Sequence, residues 1–259
     1  MRWRATRKPR AFTILEVLVV MVIVALLASG LAMPLATQIQ SRRQEDARRQ
    51  LDEAKEALLG FAVAHGRLPC PASPSSRGQE SFTPTGDATN GDCSNFHDGF
   101  LPGAALGLAP LDADGFVRDP WGSPRNRIRY AVFGAGLSVN GVANPLTRTN
   151  GMQAATLTGL GAASHYLFIC ASGAGVTASG CGPATNQLTR RAAFVLLSLG
   201  ANAIDAPLPA SDEARNVDGD AVFVHRDASM VDGNPFDDVL SWVPVTLVAS
   251  RLLAAGRLP

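Results

Sequence analysis

Hydrophobic and polar positions change period along this chain, and the changes mark its parts. From Val17 to Ala36 the chain runs through 20 residues without a charge, and about 20 apolar residues rising 1.5 Å each would cross the roughly 30 Å hydrocarbon layer of a bilayer. Pro34 lacks an amide donor and should kink or end a helix. The pattern nevertheless resumes at Ile39, Ala47, Leu51, Ala54, Leu58, Phe61 and Ala62 with spacings of three and four, which predicts an amphipathic helix to about His65. Arg48 with Asp52 and Arg49 with Glu53 fall at i,i+4 on its polar faces, and Gly66 followed by Pro69 makes a stop. Beyond it, Leu68 to about Pro124 has few regular runs and many turn residues, which predicts a long loop region.

Strand-like runs come later, at Ile128–Phe133, His165–Cys170, Ala193–Leu199, Ala221–His225 and Val239–Val243. They are short, rich in β-branched or aromatic residues, and separated by turn residues. After Pro244, the positions Val245, Val248, Leu252 and Leu253 have helical spacing, and Gly256 ends the run. The fold class predicted is α+β: a long N-terminal helix, half transmembrane and half amphipathic, packed on a small antiparallel sheet with long loops. The expected divisions are 1–11, 12–36, 37–66 and a globular domain over 67–259. The chain, with 259 residues including 25 Gly and 17 Pro, is long enough for the helix plus one loop-rich domain.

Charge orients the first segment. Arg2, Arg4, Arg7, Lys8 and Arg10 precede the apolar run, and basic flanks stay on the cytoplasmic side of a membrane, so the rest is expected to face outward. Glu16 stands out, because a carboxylate near the start of such a helix costs about 2.5 to 3.5 kcal/mol if it sits deep in lipid, so it calls for a partner. Two plainer readings compete. A secretory signal would use Val17 to Leu27 as its apolar centre and Ala28, Ser29, Gly30 and Ala32 as a cleavage region; a simple membrane anchor needs only the span. Neither accounts for a charge between the basic leader and the apolar run.

The residues Phe12-Thr13-Ile14-Leu15-Glu16, with their basic leader and apolar continuation, resemble the type IV pilin-like superfamily, which includes pilins and the pseudopilins of type II secretion. The resemblance implies that an inner-membrane prepilin peptidase cuts between Ala11 and Phe12 and methylates the new amine of Phe12. It implies that Glu16 pairs with the terminal amine of a neighbouring subunit during assembly, which would offset the cost of burying the carboxylate. Ala11 departs from the glycine that family members usually carry there. Loss of residues 1–11 would leave 18 basic against 22 acidic residues, about −4, a poor balance for nonspecific nucleic-acid binding. Arg125, Arg127 and Arg129 alternate on one face of an expected strand and read as a solvated edge.

A second set of residues narrows the resemblance to major pseudopilins: Asp119-Pro120-Trp121-Gly122-Ser123-Pro124 followed by Tyr130, then Leu197-Ser198-Leu199-Gly200, then Asp237-Asp238 with Trp242. In those proteins the segment between the Ser-Leu-Gly turn and the paired aspartates holds calcium, which points to Asp237 and Asp238 as metal ligands here. Asn202 stands where an aspartate is common, and the intervening segment is longer. Hard cations take six to eight oxygens, and Asp218, Asp220 and Asp232 lie close by in sequence. Neither the Asp218 run nor Asp112-Ala113-Asp114-Gly115 has the Glu that completes an EF-hand, and turn formation is the bland alternative.

Cys70, Cys93, Cys170 and Cys181 all lie beyond the apolar segment and imply an oxidising compartment. Four cysteines allow three pairings, and the short separations favour Cys70 with Cys93 and Cys170 with Cys181. His65, His97, His165 and His225 show no zinc spacing. Lys8 and Lys55 are the only lysines, and no Gly-x-Ser-x-Gly elbow or His-Glu-x-x-His occurs, so no catalytic constellation is expected.

The function expected is a noncatalytic subunit of a pilin-like filament, in a type II secretion pseudopilus or a type IV pilus. It would sit in a bacterial inner membrane by a single pass, with its globular domain in the periplasm. Its partners would be prepilin peptidase, other pilin-like subunits and the inner-membrane assembly platform, with no nucleic acid. The alternative is an adhesion or ligand-binding module displayed on a pilin-type helix, and deletion of Leu68 to Pro124 is the expected discriminator.

Overall fold

A computed structural model describes residues 13–122, 126–203, 207–229, 231 and 233–258, with the side chains of 27–37 outside the description. The elements in chain order are helix α1 (Ile14–His65), strands β1 (Gly99–Phe100), β2 (Arg129–Val132), β3 (Ser138–Val139) and β4 (Val142–Ala143), helices α2 (Gly151–Ala155) and α3 (Leu157–Ala162), strands β5 (Leu167–Cys170) and β6 (Gln187–Ser198), helix α4 (Asp212–Arg215), strands β7 (Val222–Val224) and β8 (Val239–Pro244), and helix α5 (Val245–Ala254). Contacts divide the chain after Arg43 into two compact units.

In the first unit, Thr13 caps α1: its Oγ1 accepts the Glu16 amide at 3.3 Å and its carbonyl accepts the same amide at 3.1 Å. Thr13-Ile14-Leu15-Glu16 has the Thr-x-x-Glu spacing of a capping box, with an acid in the first turn where the helix dipole favours it. The apolar side chains from Ile14 to Leu26 are bare, Ile14 being 88% and Leu26 67% exposed. Among the described residues no helix is long and apolar enough to cross a membrane; the expected span, 17–36, runs into residues whose side chains lie outside the description.

In the second unit the remainder of α1 supplies one wall of the core. Leu51, Ala54, Leu58 and Ala62, at the helical spacing read from the sequence, are each at most 2% exposed, as is Leu59 beside them, whereas Phe61 is only half-buried and Ile39 is exposed. The expected pairs of Arg48 with Asp52 and Arg49 with Glu53 give way to others: Asp52 takes Lys55 at i,i+3, and Glu56 takes Arg251 of α5 at 3.2 Å. The helix stops at Gly66, whose φ of +68° suits a residue without Cβ. Arg257 then caps the freed carbonyls of Val63 and Ala64, at 3.0 and 2.6 Å.

The sheet runs β1-β2-β6-β5-β7, with β8 also paired to β6. Strand β6 is the spine: Tyr130 of β2 lies opposite Leu196, and Leu240 of β8 opposite Leu197, all antiparallel. One pair departs from the all-antiparallel expectation, since β7 runs parallel to β5 with Phe168 opposite Val222. A long connection through α4 carries the chain past β6 to the far edge of β5, and only a long crossover permits a parallel neighbour. Helix α5 buries Val245, Val248, Ala249 and Leu252 on the same core.

The region from Leu68 to the Asp119 turn is irregular yet structural. Leu68, Leu101 and Phe116 are fully buried, Tyr130 donates its hydroxyl to Pro69 at 3.1 Å, and the Cys70–Cys93 disulfide closes the segment. Each fully buried Leu or Phe contributes about 1.5 to 3 kcal/mol, so deleting Leu68 to Pro124 would unmake the core. That deletion therefore does not discriminate between filament and display roles. Cys170–Cys181 closes the connection between β5 and β6.

Arg127 and Arg129 do not form a solvated edge. Arg127 binds Asp112 at 2.8 Å and lies 4.2 Å over the Phe116 ring, and Arg129 pairs with Asp98 while lying 5.2 Å over Phe100. Partly buried carboxylates and aromatic faces hold both guanidinium groups. Arg125 lies outside the described residues.

Candidate functional site

Two regions hold the expected site residues. The first is the N-terminal segment. Glu16 sits in the first turn of α1, in the capping arrangement above, beside exposed Ile14, Leu15 and Val17. Ala11 and Phe12 lie outside the described residues.

The second region grows from the end of β6. Ser198 is the last strand residue, and the chain turns through Leu199 and Gly200, whose φ is +69°. A Cβ on Gly200 would collide with the Asp237 carboxylate, so this close approach requires glycine. Across from the turn, the Asp119 carboxylate takes the Trp121 amide at 3.1 Å and the Ser198 hydroxyl at 2.7 Å. Asn126 Nδ2 donates to the Gly200 carbonyl at 2.6 Å. The Asp-Pro-Trp-Gly and Ser-Leu-Gly segments are thus docked on each other. Burial pushes Asp119 up to about 6, partly offset by the bonds it accepts from Ser198, Trp121 and Asn126.

Past the turn, the Ala201 amide donates to Asp237 Oδ2 at 2.8 Å. Asn202 Nδ2 lies 3.1 and 2.9 Å from the two carboxylate oxygens of Glu213. Glu213 stands on α4, a single turn capped by Ser211, whose hydroxyl accepts the Ala214 amide. The Asp237 amide donates to Glu213 Oε1 at 2.8 Å, and Asn216 donates to Asp238 Oδ2 at 2.7 Å while exchanging bonds with the backbone of Val224.

Glu213, Asp237 and Asp238 are 4%, 4% and 7% exposed, and an oxygen of each lies within 4.8 Å of the others. The groups bonded to them are neutral amides. Burial drives Asp237 up to about 6 and Asp238 well above its usual range, with the neighbouring carboxylates adding to both. Asp237 Oδ1 is buried with no hydrogen-bond partner. These features fit a hard divalent cation: oxygen donors alone, three clustered carboxylates whose charge the nearby Arg129 only partly offsets at Asp238, and an orphaned acceptor. Glu213, Asp238 and Asn202 also line a cavity of about 440 Å³, which Leu199, Val217 and Pro235 complete on its apolar side.

Of the expected ligands, Asp237 and Asp238 come together. Asp218 pairs with Arg215 at 3.7 Å, the Asp220 carboxylate accepts the Val222 amide, and Asp232 lies outside the described residues. Asp112 accepts the amides of Asp114 and Phe116, which is turn formation. Sequence reasoning missed Glu213. Its one local signal was a capping Ser followed by two acids, which marks a helix start and says nothing of a distant pair of aspartates.

Residues 6–32 match the prokaryotic N-terminal methylation motif, the hallmark of the prepilin-peptidase substrates among type IV pilins and pseudopilins. The chain carries a prepilin-type N-terminus. This prepilin-type segment contains Ala11, Phe12 and Glu16, and it is the motif of a membrane-anchored, envelope-exposed protein processed by prepilin peptidase and assembled with other pilin subunits. The α+β fold behind it, with an N-terminal helix and an antiparallel-rich sheet, is consistent with a pilin-like domain. No curated protein and no solved structure matches the chain.

Proposed function

We propose that the protein is a noncatalytic structural subunit of a pilin-like filament, in a type II secretion pseudopilus or a type IV pilus. The observation that carries this reading is the methylation motif at 6–32 leading into a helix whose apolar side chains, Ile14 to Leu26, are bare. Prepilin peptidase cuts before Phe12, the amine is methylated, and the subunit waits in the inner membrane with its globular domain in the periplasm. In the filament, neighbouring helices cover the bare apolar surface, and Glu16 meets the terminal amine of another subunit. Head-to-tail contacts that do not close build such a polymer. Asp237 and Asp238 hold a divalent cation, calcium by their all-oxygen chemistry, which offsets the repulsion between buried carboxylates.

The test is a fractionation. In a host expressing prepilin peptidase and the assembly platform, the protein should enter the sheared, sedimentable filament fraction, and it should stay in the membrane without the peptidase. Its absence from filaments in the complete host would overturn the proposal. The 440 Å³ cavity favours a second reading, display of a ligand-binding domain on a pilin-type helix. Assembly undisturbed by a bulky Leu199→Trp filling of that cavity, with loss of a surface-binding phenotype, would favour display.

A further inference from the structure

The two acids of α4 have opposite surroundings. Asp212 is neutralised by Arg226 at 2.6 Å, with Asn234 and the Gly173 amide completing its shell. Glu213, one residue on, is equally buried, and the groups bonded to it are the Asn202 side chain and the Asp237 amide. A buried carboxylate among neutral donors, beside two more carboxylates, is costly unless a positive charge joins it, and Arg129, which lines the same cavity, is already paired with Asp98. Among the described residues the Ser211 hydroxyl already caps α4 through the Ala214 amide, so the Glu213 carboxylate is not used to cap its own helix.

Geometry shows where the positive charge belongs. Glu213 Oε2 accepts one hydrogen bond and keeps a lone pair, while Asp237 Oδ1 accepts none and is buried. The ligand oxygens of Glu213, Asp237 and Asp238 lie within 4.8 Å of one another, close enough to share an ion. The cavity that Glu213 and Asp238 line gives that ion an entry path. Resting on the cation reading of Asp237 and Asp238, we propose that Glu213 is the third carboxylate ligand and that Asn202 is its clamp. The cation then staples two separate stretches of chain, the β6–β7 connection carrying α4 and the β7–β8 connection carrying the paired aspartates.

The proposal makes positions 202 and 213 exchangeable. An aspartate at 202 would put a carboxylate about 3 Å from the present Glu213 oxygens, and a glutamine at 213 would return the hydrogen bond with donor and acceptor reversed.

The experiment uses full-length protein in detergent, titrated with calcium after chelator treatment, reading both calcium affinity and Tm. Wild type should bind calcium and melt higher with it. Glu213→Gln should bind at least tenfold more weakly while melting near wild type in chelator, and the double change Asn202→Asp with Glu213→Gln should recover much of the affinity. Equal affinity in wild type and Glu213→Gln overturns this inference and leaves the cation reading of the aspartates standing. Failure of wild type to bind calcium overturns both. Should Glu213→Gln fail to fold, hydrogen exchange on wild type decides: calcium should slow exchange across residues 211–217 as well as 236–239, and protection confined to the latter would overturn the proposal.

Discussion

Ser198 Oγ donates to Asp119 Oδ2 at 2.7 Å across 79 residues of chain. The bond fastens the end of β6 to the Asp-Pro-Trp-Gly turn, and so fixes where Gly200 and Ala201 approach Asp237. Among the described residues Asp119 has no cationic partner in its hydrogen bonds, and burial raises it to about 6. A carboxyl raised on folding favours the native state when protonated, so its stabilising share is full below the unfolded value near 4 and is lost as pH rises through about 6. Asp119→Asn should remove that share. The stability difference, wild type minus variant, should grow by about 1 to 2 kcal/mol as pH falls from 7.5 to 5 in urea titrations; a pH-independent difference would refute the assignment.

Arg67 binds Glu80 through two parallel hydrogen bonds of 2.6 and 2.8 Å, and Glu80 Oε1 also accepts the Cys70 amide. Both side chains are largely buried, with Phe61 and Phe82 facing the guanidinium. Breaking one side of such a pair leaves a buried charge, so Glu80→Ala should cost about 3 to 5 kcal/mol in chemical denaturation. A loss below 1 kcal/mol would mean that water reaches Arg67 freely.

The disulfides close loops of different length, Cys70–Cys93 spanning 23 residues and Cys170–Cys181 spanning 11. Loop entropy assigns each about 3 kcal/mol, slightly more to the longer. Replacing either pair by serine should lower stability by that order, and the Cys70–Cys93 variant should also become protease-sensitive within residues 71–92, where regular pairing is sparse.

Long periodic runs were legible in the sequence, and short or non-local ones were not. The three-and-four spacing of Leu51, Ala54, Leu58 and Ala62 marked the core face of α1, and five strand-like runs became β2, β5, β6, β7 and β8 within a few residues, β6 starting earlier at Gln187. The hairpin of β3 and β4, the two-residue β1 and the one-turn helices α2, α3 and α4 are too short to show a period. Glu213 meets Asp237 across 24 residues, and no local pattern encodes such a meeting. The ion pairs of Arg127 and Arg129 were misread for the same reason, because alternation places both on one face without saying that Asp112 and Asp98 wait there. Glu16 stands out in the sequence because a charge between a basic leader and an apolar run breaks the composition around it, and the matched motif over 6–32 includes it.

On the proposed filament reading, Glu16 separates assembly from insertion. Its amide donates to the Thr13 hydroxyl and carbonyl, so Glu16→Gln keeps the helix cap and removes only the charge. The variant should remain in the membrane and be processed, yet enter filaments at least tenfold less than wild type in shearing assays. Normal incorporation would place the assembly determinant elsewhere on the bare face from Ile14 to Leu26.

The most direct measurement is the mass of the N-terminal peptide of protein isolated from membranes of a host with prepilin peptidase. A peptide starting at N-methylated Phe12 is the result expected of a prepilin-type subunit. An intact Met1, or a start at Met33, would contradict it.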